Sequence, residues 1–318
     1  MRSPVPPEAE SVDVTHEFLS NFFGTALPSC AAEDVSAVSR PVEAIAWTWT
    51  PFRWDATAHL PRPLMNRAAA EYQQYGPLKA SEVFLEGLRI PVGHTVQDCD
   101  PLQECERHIS AALCLLDAGL PVSAWSQIQA AVRCSSDPSV IREFSGCSVV
   151  ELWLTMGAAA AALQDMDTAA NWCTRAAIQL KKQLAADHSV SVRARALCGD
   201  ALCLQGFLRA SCGDMSGALR STMDAFAIHL DAGEPESAAI DLHLQAQYEL
   251  LQGRNDDAAE SAAFALELLE PCRGKRAFPR AGQLYDACTT LRETVAVRSS
   301  WQHNGSMNDR NQGKASVN

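Results

Sequence analysis

His94, Cys99, Cys105 and His108 are the residues whose types and spacing come nearest to a metal site in this chain. Zinc takes four soft or imidazole ligands that converge tetrahedrally, commonly from two close pairs. Here the gaps run 5, 6 and 3 residues along a loop and into a helix, and the paired C-x-x-C spacing is absent. Asp187-His188-Ser189 holds the residue types of a catalytic triad side by side. A relay, however, needs those groups brought together in space on a rigid frame, and adjacency in sequence does not supply that. Cys198, Cys203 and Cys212 have no histidine near them in sequence. The chain has no Gly-rich phosphate loop, no nucleophile elbow and no helix-borne metal motif. The expectation is therefore no catalytic residue, no metal and no cofactor. The alternative is an enzyme or metal-binding sensor module built on the same frame, with the segment from His94 to His108 as its site.

The elements that would position such groups follow from a pattern that recurs four times. Ala124, Ile128 and Ala131 stand four and three residues apart, as do Ala169, Cys173 and Ala176, then Ala218, Thr222 and Ala225, then Ala258, Ala262 and Ala265. Residues at i, i+4 and i+7 share one helical face, and small residues there let a second helix approach closely. Each trio follows a turn at the same distance: Gly119-Leu120-Pro121, Gln164-Asp165-Met166, Gly213-Asp214-Met215 and Gly253-Arg254-Asn255. A fainter unit precedes them, with helices over 64–75 and 78–90 about a turn at Gly76-Pro77, and Ser81, Leu85 and Leu88 at the same offsets. The pattern predicts an all-α, right-handed solenoid of about five antiparallel helical hairpins with a C-terminal capping helix. The cap would run over 280–297 with Leu284, Tyr285, Cys288, Leu291 and Val295 on its inner face. Residues 1–62 read as an N-terminal extension with a short helix over 12–23 and a Trp-rich segment, 63–298 as the repeat domain, and 299–318 as a disordered polar tail.

With 38 acidic and 26 basic residues, the net charge is −12. That balance argues against a nucleic-acid partner, which needs clustered Lys and Arg, and against an anionic membrane surface. The short basic clusters, Lys181-Lys182 and Arg273-Gly274-Lys275-Arg276, read as helix ends or solvated loops. Twelve cysteines in a chain of 318 residues, with no apolar leader in the first 40, read as reduced and mostly buried thiols of a cytoplasmic or nuclear protein. No apolar stretch is long enough to span a membrane.

The segment from Asp165 to Ala176, the pairing of Gly206 with Gly213-Asp214-Met215 and Ala218, and the segment from Gly253 to Leu266 resemble the turn and helix positions of tetratricopeptide repeats. Turn-to-turn distances of 40 to 49 residues exceed the roughly 34-residue unit of that family. In this they are similar to the long-helix, SNAP-like solenoids of vesicle-fusion adaptors. Asp100-Pro101-Leu102-Gln103, Ala118-Gly119-Leu120-Pro121 and the Ala-rich stretch from Ala158 resemble, more faintly, the huntingtin-associated tetratricopeptide-like family. These resemblances imply a non-enzymatic scaffold or adaptor subunit, and the fainter one implies a large helical partner and a role in intracellular trafficking.

In such stacks the first helix of each hairpin lines the concave groove where a partner helix or peptide lies. Counting back from the turns, the groove positions are Ile109, Leu113, Leu116, Leu154, Ala158, Phe207, His243, Gln247 and Leu250. The set is mostly apolar and lacks the Lys, Arg and Asn clamp that would hold a terminal carboxylate, so an amphipathic helix is the expected guest. The alternative is that these side chains only pack one hairpin on the next. Trp47, Trp49 and Trp54 form either a plug on the open end of the stack or an exposed binding strip.

Overall fold

The computed structural model describes residues 60–86, 88, 100–135, 147–186 and 192–315. Trp47, Trp49, Trp54, His94, Cys99 and the Asp187-His188-Ser189 triplet lie outside the described residues. The described chain is helical, without strands. Its elements are α1 (Arg62–Tyr75), α2 (Pro77–Glu86), α3 (Pro101–Asp117), α4 (Pro121–Ser135), α5 (Cys147–Ala162), α6 (Met166–Ala186), α7 (Val192–Ser211), α8 (Met215–Asp231), α9 (Pro235–Leu251), α10 (Asn255–Leu269), a 3₁₀ turn (Glu270–Cys272) and α11 (Ala281–Ala315). No described helix is long and apolar enough to cross a membrane.

The turns are built as their sequences demand. Gly119, Gly213, Gly233 and Gly253 adopt positive φ, and in each case the next residue's N–H reaches back to the carbonyl five residues earlier, as from Leu120 to Leu115 at 2.8 Å and from Asp214 to Arg209 at 2.9 Å. This is the left-handed helix stop that glycine makes at little steric cost. Gln164 makes the same stop at φ 65° with a full side chain, and Asp165 N–H still reaches Ala160 O at 2.9 Å. The helices after these stops start on Pro121 and Pro235, under the side-chain caps of Asp165 and Asp214, or, for α10, on Asn255 without a side-chain cap.

Every helix packs on the next in chain order, consistent with an α solenoid, and the main contacts that skip an element run between α3, α5, α7, α9 and α11. The odd-numbered helices therefore share one side of the stack and the even-numbered helices the other. The four small-residue trios are all buried on the even helices. Their role is close approach: a Cβ on Gly206 of α7 would stand 2.7 Å from Thr222 Oγ1 and 3.2 Å from Ala218 O of α8.

On the odd side the linker before α11 packs against α1, the end of α3 and the start of α9. Gln73 of α1 donates to Lys275 O at 2.8 Å, bringing the first and last parts of the described chain together. Arg280, fully buried, lies 3.7 Å from Asp117 at the end of α3 and 3.8 Å from Glu236 at the start of α9, and its N–H donates to Glu236 at 2.9 Å. Tyr72 of α1 donates to the same Asp117 at 3.1 Å. The basic cluster Arg273 to Arg276 is exposed on this linker, as a solvated loop. Leu284, Cys288 and Val295 of α11 are buried as expected of a cap. The helix then runs on to Ala315, through residues the sequence assigns to a disordered tail. No proline after Pro279 interrupts it.

Candidate functional site

The side chains expected to line a groove sit on the odd side, in the packing between helices. Ile109, Leu113 and Leu116 on α3, Leu154 and Ala158 on α5, Phe207 on α7 and His243 on α9 are all buried, and Leu113 is only 3% exposed. Gln247 and Leu250, nearer the end of α9, are half-buried. Where Leu113, Leu154, Ala158 and Leu197 meet Glu151, Thr155 and Asp200, the space left is about 10 Å³, room for one water. Arg193 caps this region through an ion pair with Glu151.

Three clusters on this side contain residue types that elsewhere do chemistry. His229 of α8 donates through Nδ1 to Asp241 of α9 at 2.6 Å and through Nε2 to Asp200 of α7 at 2.9 Å, with Ala196 O 3.1 Å away. Burial alone would push this imidazole down, but the two carboxylates outweigh it and raise it to about 10. The three side chains are at most 1% exposed, so the cluster is a closed ionic pin between three helices. Gly199 makes room for it, since a Cβ there would lie 2.4 Å from the ring. His243 and Cys288 approach to 3.6 Å, with Gln247 donating to His243 Nε2 at 2.9 Å. Burial pushes His243 down to about 4 and Cys288 up to about 12, so the pair is neutral imidazole and neutral thiol, without the thiolate that nucleophilic chemistry needs. Around Arg280, burial lifts Glu236 to about 7 against the pull of the guanidinium.

Of the four residues weighed as a metal set, Cys105 and His108 lie among the described residues, and they turn to different partners. Cys105 is buried and donates to Ala131 O at 3.4 Å. His108 turns instead to Glu104, one turn back on α3, and to Cys134 on the last turn of α4, the three donor atoms lying within 4.8 Å of one another. Burial and the neighbouring Glu104 push the Cys134 thiol up to about 11. The spacing of Glu104 and His108 is visible in the sequence. Cys134 joins them only once the register of α4 on α3 is known.

On the even side the surface is different. Between α8 and α10, floored by α9, runs an open groove of about 620 Å³. Met223, Phe226 and Ala227 form its α8 wall, three and four residues apart on one face. Glu260, Phe264 and Glu267 form the α10 wall, again one stripe, with the aromatic ring between two carboxylates. Met223 is 55% and Phe264 41% exposed, and Phe226 meets Phe264 edge to face at 5.6 Å. The groove's arginine is already engaged: Arg254 Nε donates to Asp257 at 2.7 Å and its head lies 3.9 Å from Glu249. Among the described residues Glu260 and Glu267 make no ion pair. A neighbouring groove of about 320 Å³ between α6 and α8 has Ile178, 45% exposed, with Leu202 and Ile228, and carries no charged side chain. Both grooves are walled by even helices, whereas the groove positions expected from the sequence lie on the odd ones. The i, i+4, i+7 stripe at Glu260, Phe264 and Glu267 was the available signal.

No protein-family model matches this chain, and no curated protein matches it.

Proposed function

We propose that this protein is a non-enzymatic adaptor that holds a basic amphipathic helix of a partner protein in the groove between α8 and α10. The observation that carries this reading is the exposed Met223–Phe226–Phe264 surface flanked by Glu260 and Glu267. A helix presenting apolar residues at three- and four-residue spacing fits such a trough, and lysines or arginines beside that stripe would meet the two carboxylates. The net charge of −12 adds a long-range attraction for such a partner. The chain's own first 59 residues are a poor occupant, since acids outnumber bases there as well.

The same reading takes the stack to be right-handed and tetratricopeptide-like, with about five hairpins. Supporting it are the fourfold recurrence of turn and small-residue trio and the packing of Gly206 on Ala218 and Thr222. A cytoplasmic location goes with it, supported by the free thiols of the described cysteines. A large helical partner and a place in trafficking rest on the sequence resemblance alone.

The test uses two labelled helical peptides, one of leucine and lysine at amphipathic spacing and its leucine–glutamate counterpart, with fluorescence anisotropy as the readout. The lysine peptide should bind, weaken with added salt, and lose at least tenfold in affinity in Phe264→Ala and in Glu260→Lys/Glu267→Lys, while Ile178→Ala leaves binding unchanged. Equal binding of both peptides, or indifference to the α10 variants, would remove this site.

A further inference from the structure

We propose that Glu104, His108 and Cys134 form a binding site for a divalent metal of the zinc class, joining the start of α3 to the end of α4. Glu104 and His108 are four residues apart on α3 and so project from one face. The α3–α4 packing brings Cys134 to them, with the donor atoms of all three within 4.8 Å of one another. His108 Nε2 stands 4.0 Å from Glu104 Oε1. Metal bonds of about 2.0–2.2 Å to nitrogen and oxygen set an edge of roughly 3.3 Å in a tetrahedron, so side-chain rotation of less than about 1 Å closes that edge.

A second observation points the same way. Gln127 of α4 places Oε1 2.9 Å from His108 Nδ1, which must therefore carry the proton and donate it. The lone pair is left on Nε2, the atom that stands 4.0 Å from Glu104 Oε1. An imidazole held through its far nitrogen by a hydrogen-bond acceptor is how proteins orient a metal-ligating histidine. The donor set, one imidazole, one sulfur and one carboxylate, selects zinc or cobalt over magnesium or calcium, which prefer oxygen alone. On binding, the Cys134 thiol gives its proton to solvent, and the thiolate and Glu104 carboxylate neutralise the two positive charges. All three residues are partly exposed, so water completes the fourth position. This site stands apart from the α8–α10 groove, and neither depends on the other.

Cobalt titration of the full-length, reduced protein tests it. One equivalent of Co²⁺ should give thiolate-to-metal charge-transfer absorption and the intense visible bands of a tetrahedral site, both abolished by added Zn²⁺. Cys134→Ser should abolish the charge-transfer band and His108→Ala should weaken affinity at least tenfold. Gln127→Leu, which leaves all three ligands in place, should weaken it about tenfold or more. Cys212→Ser, which removes an exposed thiol elsewhere, should change nothing. Circular dichroism checks that each variant is folded. Absence of the band in the wild type, or its survival in folded Cys134→Ser, would overturn the proposal.

Discussion

The odd and even sides of this stack use opposite chemistries. On the odd side, charges are buried: Arg280 between Asp117 and Glu236, His229 between Asp200 and Asp241, each at or near zero exposure. On the even side, apolar groups are exposed: Met223, Phe264 and Ile178 each show around half their surface to water. Burying a phenylalanine or methionine fully would contribute about 1.5–3 kcal/mol, and the fold leaves part of that unused. Burying an ionic cluster, by contrast, brings little net stability, because desolvation offsets attraction. What it does is dictate which helices meet, since an unpaired partner is severely penalised. The odd side is thus where the fold specifies itself, and the even side is where surface is left over for something else.

The comparison is broken most directly by charging the odd side. Leu113→Glu puts a carboxylate into a buried site with room for at most one water and should abolish cooperative folding, seen as loss of the helical signal in circular dichroism. A folded Leu113→Glu would mean that side opens in solution. Next come the ionic clusters. Arg280→Met takes the buried countercharge from Asp117 and Glu236, and His229→Leu takes it from Asp200 and Asp241. Each should lower unfolding free energy by about 3–5 kcal/mol in urea titration.

His229 also gives the stack a pH dependence of defined sign. Its folded value, about 10, lies above the ordinary 6.5, so the folded state binds the extra proton between them. Its contribution is complete below about pH 6.5 and is lost as pH climbs towards 10. The groups facing it are Asp200 on α7 and Asp241 on α9, with Cys203 beside Asp241. The urea midpoint of the wild type should fall from pH 7 to pH 9.5, and this part of the slope should vanish in His229→Leu.

Smaller effects sharpen the contrast. Gln164→Gly relaxes the one left-handed turn residue among the described residues that carries a side chain, where α5 passes to α6, and should raise stability by about 1 kcal/mol. Phe264→Glu, on the even side, should shift stability by only about 0.5 kcal/mol or less while abolishing binding of an apolar helix face. A large loss of stability there would make the groove part of the core.

The repeating elements were legible because they are local. A glycine turn followed by small residues at i, i+4 and i+7 is written in consecutive sequence, and Ala218, Thr222 and Ala225 are buried as that spacing requires. The buried charges were not legible. Asp117, Glu236 and Arg280 are more than 40 residues apart from one another, and each read alone is an ordinary surface residue. The candidate groove is an intermediate case. Its stripes can be read on α8 and α10 separately, but the groove they form appears only once both pack on α9. The same holds for His108, whose neighbour Cys134 is set by the packing of α4 on α3 rather than by spacing.

The central claim is that the even side, and not the odd side, meets a partner. Hydrogen exchange followed by mass spectrometry, on the full-length protein with and without the leucine–lysine helix, tests it most directly. The account predicts slowed exchange in α8 and α10 around residues 223–227 and 260–267, with α3, α5 and α7 unchanged. Protection confined to residues 109–116, 154–158 and 207 on the odd helices would contradict it and return the binding surface to the concave side.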